Sequence, residues 1–561
     1  MTAWATLRRA GIGAVVPLFL LCAPVYGDEP SKSEKSAKPT PAQLRAAAEK
    51  AEKAGDWDAA FTAYCHLFVT DRASPDIREK LNTALRRSQQ LRRHRDPQFQ
   101  QYAANTSPTD AMKLYAEVLT KVPVLYVDRE RATPQILWEN GLEELARALG
   151  DPAFRQAFLD DASADSVERF RNSLRTTWAR QSVANAADAR LQLRKLTAAA
   201  QDAFSVRVPS ALVIEVVCGA CSGLDEYTVF LNPLQLNPNA VSSTPDLSAP
   251  GIYLTLMDGA LVIAGIAPGS WAAHHTKLRK GDRIALLNTR QMEMTTLAAA
   301  AEALRNPVEV FHEIETAGAG PDNPSITVRV PVIVPTVYGI DTVNAKEGVG
   351  YARIGSFSPT TARELDDAIN SLKSRGVRVL ILDLRGNMGG AFLAGVDTAK
   401  RLIPAGVIVT TQGQITQADN QQFSSESGMT AHDLPVVLLV DAETASAAEV
   451  LAAALKDHNR ATLIGMPTFG KGAIQYPVRL DSLDDKDENG KPKANKTGGI
   501  RLTIARLIAP RGGAINGVGI TPHVLEADTG RQFGLAVEKA IELLPTVSRP
   551  LPASPMLPTL P

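Results

Sequence analysis

The sequence of 561 residues predicts a multidomain α/β protein with a helical N-terminal region, a β-rich unit and an α/β core. Three observations predict it. Helical periodicity runs from Pro41 to Phe204, short strands and glycine turns take over near Pro250, and from Gly348 apolar strands alternate with amphipathic helices. A chain about three or four times the length of a typical domain must also hold several units, at least one with a large core.

Along the chain, Arg8 and Arg9 precede an apolar stretch near Ala10 to Ala23 and then Val25-Tyr26-Gly27, the layout of a secretory signal. Residues 1–27 are expected to be a signal peptide cleaved after Gly27. The run is shorter than the roughly 20 apolar residues that span a bilayer, and Pro17 interrupts it. The expected location is exported, periplasmic or otherwise extracytoplasmic, with membrane association left open. Leu21 stands where a small residue precedes a lipidated cysteine, which speaks against Cys22 as a lipid anchor.

Residues 28–42, rich in Ser, Lys, Glu and Pro, read as a linker, and 43–232 as the helical region. Within it, Ala-Gly-Asp-Trp-Asp-Ala-Ala-Phe (54–61) has the residue placement of a tetratricopeptide helix pair. A single such hairpin reads first as an ordinary helical layer and second as a site for a protein partner. A homo-oligomer is also compatible with the sequence.

The β-rich unit spans 243–334. Gly251 to Leu256 and Leu261 to Ile266 read as strands joined by a tight turn at Asp258-Gly259, followed by a strand from Arg283 to Leu287 and a helix near Leu297 to Leu304. His274 and His275 are expected as exposed loop residues. The core spans 335–545, with strands at Val349 to Ile354, Arg378 to Leu384 and Pro435 to Val440, and helices at Thr361 to Ser374, capped by Ser358, and Ser446 to His458. Residues 546–561 are a Pro-rich tail.

Composition narrows the function. Lys plus Arg equal Asp plus Glu at 60 each, so no net field draws the chain to nucleic acid. Cys218-Gly219-Ala220-Cys221 lacks a second Cys/His pair, and the acidic loop from Asp485 ends on Lys496 where a calcium loop needs a glutamate. No metal and no cofactor are expected, and the cysteines are read as structural.

Three segments carry chemistry. In Val436-Val-Leu-Leu-Val-Asp-Ala-Glu-Thr-Ala-Ser446, a serine sits at a strand-to-helix turn, among the free N–H groups of a helix start. A plain helix cap would look the same. In Thr468-Phe469-Gly470-Lys471-Gly472-Ala473-Ile474-Gln475, glycines around the lysine permit close approach of another backbone, and the apolar setting favours the neutral amine, which alone can take a serine proton. Gln475, four residues on along a strand, would share a face with Lys471 and orient its amine. In Ile381-Leu-Asp383-Leu-Arg385-Gly386-Asn387-Met388-Gly389-Gly390, a buried strand opens into paired glycines whose N–H groups can converge on an oxygen. No Gly-Lys-Ser/Thr follows, so a nucleotide loop is not expected.

In this order, and with Gly223-Leu-Asp-Glu-Tyr-Thr-Val-Phe-Leu-Asn-Pro before them and Leu502-Thr-Ile-Ala-Arg506 and Gly517-Val-Gly-Ile-Thr-Pro522 after, the segments resemble the C-terminal processing, or tail-specific, serine protease family from about Tyr115 to Val524. The resemblance implies a crotonase/ClpP-like core, Ser446 as nucleophile, Lys471 as general base, Gln475 as the residue that positions it, and the N–H groups of Gly389 and Ala447, or Gly390 in place of Gly389, as the oxyanion hole. Met388 departs from the family's proline and Ala448 from a common second serine. The β-rich unit resembles a PDZ domain, which implies that Gly251, Ile252, Tyr253 and Leu254 bind a peptide's terminal carboxylate and last side chain; His274 to Lys277 depart from its usual turn. The implied substrates are unfolded or C-terminally exposed proteins, cleaved by an exported serine endopeptidase. The alternative is an inactive scaffold whose PDZ-like and helical parts bind protein C-termini.

Overall fold

The computed structural model describes residues 39–547 except 71–74, 161, 237–246, 248–249, 258–259, 267–269, 294, 296–298, 301–302, 305–307, 309–310, 319–323, 332–334, 345–347, 416–419, 427–430 and 485–496. The signal segment, the turn at Asp258-Gly259, the acidic loop, most of the linker and tail, and half of the helix near Leu297 lie outside the described residues; residues 299, 300, 303 and 304 of that helix are helical.

Helices α1 (Pro41–Ala54), α2 (Trp57–Thr70) and α3 (Pro75–Arg95) form a first layer, and α4 (Pro97–Asn105), α5 (Pro108–Leu125), α6 (Pro134–Ala148), α7 (Pro152–Phe158), α8 (Ala164–Ser173), α9 (Ala186–Ala203) and α10 (Pro209–Ser222) a second. Many start alike. Thr40, Asp96, Ser107, Thr133 and Asp151 each accept a first-turn N–H, and a proline that needs no hydrogen-bond partner for its nitrogen follows. The apolar α10 is buried along its length, and its Cys218 and Cys221 are buried free thiols, each pushed up by desolvation.

Strand β1 (Val229–Leu231) precedes the β-rich unit, where β2 (Ile252–Met257) pairs antiparallel with β3 (Ala260–Ile266), and β4 (Ile284–Leu287), β5 (Arg290–Gln291), β6 (Phe311–Thr316) and β7 (Thr327–Pro331) form a second small sheet. The histidine pair is not in a loop. Trp271–His275 is a helical turn, in which His275 stacks on Trp271 at 4.9 Å and meets the core residue Tyr338 edge-on at 5.9 Å.

The core contains β8 (Val337–Asn344), β9 (Val349–Ile354), α11 (Thr361–Ser374), β10 (Val379–Asp383), α12 (Phe392–Lys400), β11 (Gly406–Gly413), β12 (Gln422–Ser425), β13 (Val436–Val440), α13 (Ala447–Asp457), β14 (Ala461–Gly465), β15 (Ala473–Arg479), β16 (Gly499–Ile508), β17 (Val524–Leu525) and α14 (Thr529–Val547). A sheet in the order β17-β14-β13-β10-β9-β8 is parallel except at β8. Strand residues point alternately to opposite faces, so Leu380 and Leu382 pack toward α11, α12 and α13, while Val379 and Ile381 pack toward α14. Covering on both faces explains why β10 and β13 are apolar at nearly every position. A second sheet, β1-β16-β11-β12 with β15 also on β16, is antiparallel. Its Val478, Ile500 and Leu502, with Leu480 just beyond β15, join the core of the second helical layer. The first layer is closed differently: Ala445 and Phe469, from two loops of the α/β core, complete its apolar cluster.

Candidate active site

Strand β13 delivers the chain to a tight turn. Asp441 accepts the N–H groups of Gly386, Glu443 and Thr444, and Ala445 donates its N–H to the Asn387 carbonyl at 2.9 Å, which ties this turn to the one after β10. Ser446 follows with φ 58° and ψ −118°. A non-glycine residue held there costs on the order of 1–3 kcal/mol and persists only where surrounding contacts over-determine it. Ser446 is the N-cap residue of helix α13, and Glu449 reaches back to its N–H as in a capping box, so the helix-cap reading holds for the backbone at this position.

What over-determines the turn is Glu449, fully buried one turn into α13. Its Oε2 accepts the N–H of Ser446 at 2.9 Å and the N–H of Lys471 at 2.8 Å, and its Oε1 accepts the N–H of Gly470 and the hydroxyl of Thr468, both at 2.6 Å. One carboxylate oxygen thus joins the backbones of the serine and the lysine. Burial pushes this carboxyl up, but four donors on two oxygens leave no acceptor for a proton and favour the ionised form.

Lys471 is 7% exposed. Desolvation, with the Arg501 guanidinium second, lowers its amine from 10.5 to about 8, against the carboxylates of Glu449 and Glu226. Its Nζ lies 5.5 Å from the ring centroid of Tyr227. The glycines on either side act as expected. A Cβ on Gly470 would lie 3.0 Å from the backbone nitrogen of Gly519, and one on Gly472 2.3 Å from that of Asn516, so residues 515–519 press against the lysine's segment. The hydrogen bonds of the described residues include none between Ser446 Oγ and Lys471 Nζ.

Gln475 is placed differently from the sequence expectation. Strand β15 begins at Ala473, after the lysine, and its register on β16 shifts between Ile474 and Gln475, which breaks simple alternation. The Gln475 amide donates to Thr503 Oγ1 at 3.4 Å. Of the expected oxyanion donors, Gly389 sits directly on the serine turn: a Cβ there would lie 2.8 Å from Ser446 Cβ and 3.0 Å from the Ala447 nitrogen. Its N–H donates to Asn387 Oδ1 at 2.8 Å. Ala447 opens α13, where first-turn N–H groups have no partner within the helix. Beneath the turn, Asp383 is held by Arg385 at 2.7 Å, Tyr351 at 2.9 Å and Arg353 at 3.4 Å, and these partners keep its carboxyl ionised despite burial.

In the β-rich unit, Gly251 has φ 85°, and Ile252 and Leu254 are buried in that unit's own core, where their expected role was to line a pocket. The Ile252 N–H donates to the Leu247 carbonyl at 2.9 Å, and Tyr253 is half-buried on the same strand. No group of three or more metal-capable side chains occurs among the described residues, and no described helix is long and apolar enough to cross a membrane. Sequence reasoning missed the roles of Glu449, Glu226, Tyr227 and Arg501. Glu449 alone had a local signal: it stands three residues after the serine, the spacing at which a carboxylate reaches back to a helix start.

Residues 348–525 match the family model for peptidase family S41. A carboxyl-terminal-processing protease of Synechocystis sp. is 32% identical over 304 residues, covering 53% of this chain and 67% of the relative. One from Picosynechococcus sp. is 30% identical over 335 residues, covering 57% of this chain and 76% of the relative. Among solved structures, a photosystem II D1 C-terminal processing protease aligns with TM-score 0.40 at 24% identity, covering 78% of this chain and 98% of that one.

Proposed function

Because this chain belongs to peptidase family S41, the carboxyl-terminal-processing proteases, we propose that it hydrolyses peptide bonds through an acyl-enzyme on Ser446 with Lys471 as the base. The observation that carries this reading is the shared Glu449 oxygen, which joins the backbone of a strained serine turn to that of a lysine whose buried amine is lowered to about 8. Neutral Lys471 takes the hydroxyl proton as Ser446 Oγ attacks the substrate carbonyl, then returns it to the leaving amine. Water repeats the cycle on the acyl-enzyme. The N–H groups of Ala447 and Gly389 hold the oxyanion, for which Gly389 must release the Asn387 side chain.

The β-rich unit, read as PDZ-like, presents substrates. Among the described residues β2 pairs only with β3, apart from the bridge of Ile252 to Leu247, so a substrate's C-terminal strand would add at this edge by displacing Leu247. The layout of residues 1–27 supports an exported, extracytoplasmic enzyme. The test is cleavage of an unfolded protein by the full chain and by Ser446→Ala and Lys471→Ala. Loss in both variants with folding intact supports the dyad; retained cleavage in either removes it.

A further inference from the structure

Besides its apolar contacts with Ala445 and Phe469, the first helical layer sends one charged side chain toward the lysine's segment. Arg78 on α3 donates from Nη1 to the carbonyls of Phe469 (3.3 Å) and Gly517 (3.4 Å), and from Nη2 to that of Gly470 (3.4 Å) and to Glu226 Oε1 (3.1 Å). Its guanidinium also lies 5.8 Å from the ring centre of Phe68 and 5.5 Å from that of Phe469, which meet edge to face at 5.5 Å. The fork therefore grips the two residues just before Lys471 and the loop that presses on the lysine's glycines. It also neutralises Glu226, the neighbour in sequence of Tyr227, whose ring faces the amine.

We propose that Arg78 is a positioning residue for Lys471, through which the N-terminal helical layer sets the working state of the base. The proposal rests on the dyad reading above and adds to it a control from outside the matched region. The groups facing the amine are Arg501 on β16, Glu449 on α13, Glu226 and Tyr227 in the segment after α10, and, behind Glu226, Arg78 on α3. A carboxylate near the amine favours the ammonium, which cannot act as a base. With Arg78 present, the negative charge of Glu226 is shared with a cation. Without it, that charge is shared only with the more distant Arg86 and bears more strongly on Lys471, while the lysine's segment loses two carbonyl anchors and the facing loop one. A multidentate guanidinium does this where an ammonium can satisfy only part of the set.

The experiment measures kcat and KM against pH for the full chain on a fluorescently labelled, carboxymethylated unfolded protein, with Arg78→Met, Arg78→Lys, Glu226→Gln and Ser446→Ala. Arg78→Met is expected to lower kcat about tenfold or more with little change in KM, and to move the rising limb of the profile up by about half a pH unit or more. Arg78→Lys should restore part of the pH shift and less of kcat. Glu226→Gln should move the limb the opposite way, to lower pH, an effect that general loosening of the fold does not produce. Unshifted limbs in both Arg78→Met and Glu226→Gln would overturn the proposal, as would an upward shift in Glu226→Gln. If Arg78→Met fails to fold by circular dichroism, Glu226→Gln decides alone. Wild-type cleavage equal to that of Ser446→Ala would instead remove the dyad reading itself.

Discussion

Two residues in the site are held in states that cost stability, and each makes a prediction. Lys471 is lowered from 10.5 to about 8, so between these values the unfolded chain binds more protons than the folded one, and stability rises with pH across that window. Below about pH 8 the full cost is present, corresponding to about 3 kcal/mol. Lys471→Met should therefore stabilise the protein at pH 7 while abolishing cleavage, and its advantage should shrink toward pH 10.5; urea denaturation at several pH values checks this. Wild-type activity should rise through about pH 8 as the amine loses its proton. Ser446, at φ 58°, predicts that Ser446→Gly is more stable than Ser446→Ala by about 1 kcal/mol, with both inactive, as compared by thermal unfolding. The sequence marked Lys471 by its flanking glycines and apolar setting, and Ser446 by its place between an apolar strand and a helix. Glu226 and Arg501 were not: they act through charge across the fold, and nothing near them in sequence marks that.

At the scale of elements, the sequence was most readable where burial on both faces or one amphipathic face dictates the pattern. Strand β9 and helix α11 have the bounds that periodicity predicts, β13 differs by a residue at one end and α13 by a residue at each end. The placement of Gln475 has a local cause. Counting along a strand assumes unbroken alternation, and a register shift between Ile474 and Gln475 breaks it. The glycines around Lys471 bear on the same segment. Gly472→Ala would drive a methyl to 2.3 Å from the Asn516 nitrogen, so residues 515–519 must move. We expect a loss of about 1–3 kcal/mol and a fall in kcat, measured together by denaturant unfolding and turnover. Gly513, whose Cβ would meet nothing within 4 Å, is the matched control, and Gly513→Ala should leave both nearly unchanged.

At the scale of the whole molecule, an α/β core and a helical N-terminal region were legible, but the seating of one on the other was not. The contacts that decide it join residues hundreds of positions apart, such as Phe68 with Phe469 and Arg78 with Gly517, and no periodicity reports a pairing of that range. A double-mutant cycle on Phe68→Ala and Phe469→Ala should show a coupling of about 0.5–1.5 kcal/mol in unfolding free energy. Additive effects would mean that the two rings do not pack in solution. The same seating orders events in time. During synthesis α1, α2 and α3 leave the ribosome first, yet Ala445 and Phe469, which close their apolar cluster, come from loops made much later. The layer must wait with that face uncovered, and the segment carrying Lys471 meets its anchor only late in synthesis. A chain that stops before that segment therefore lacks both the closed first layer and the anchored lysine, so the order of synthesis delays assembly of the proposed site.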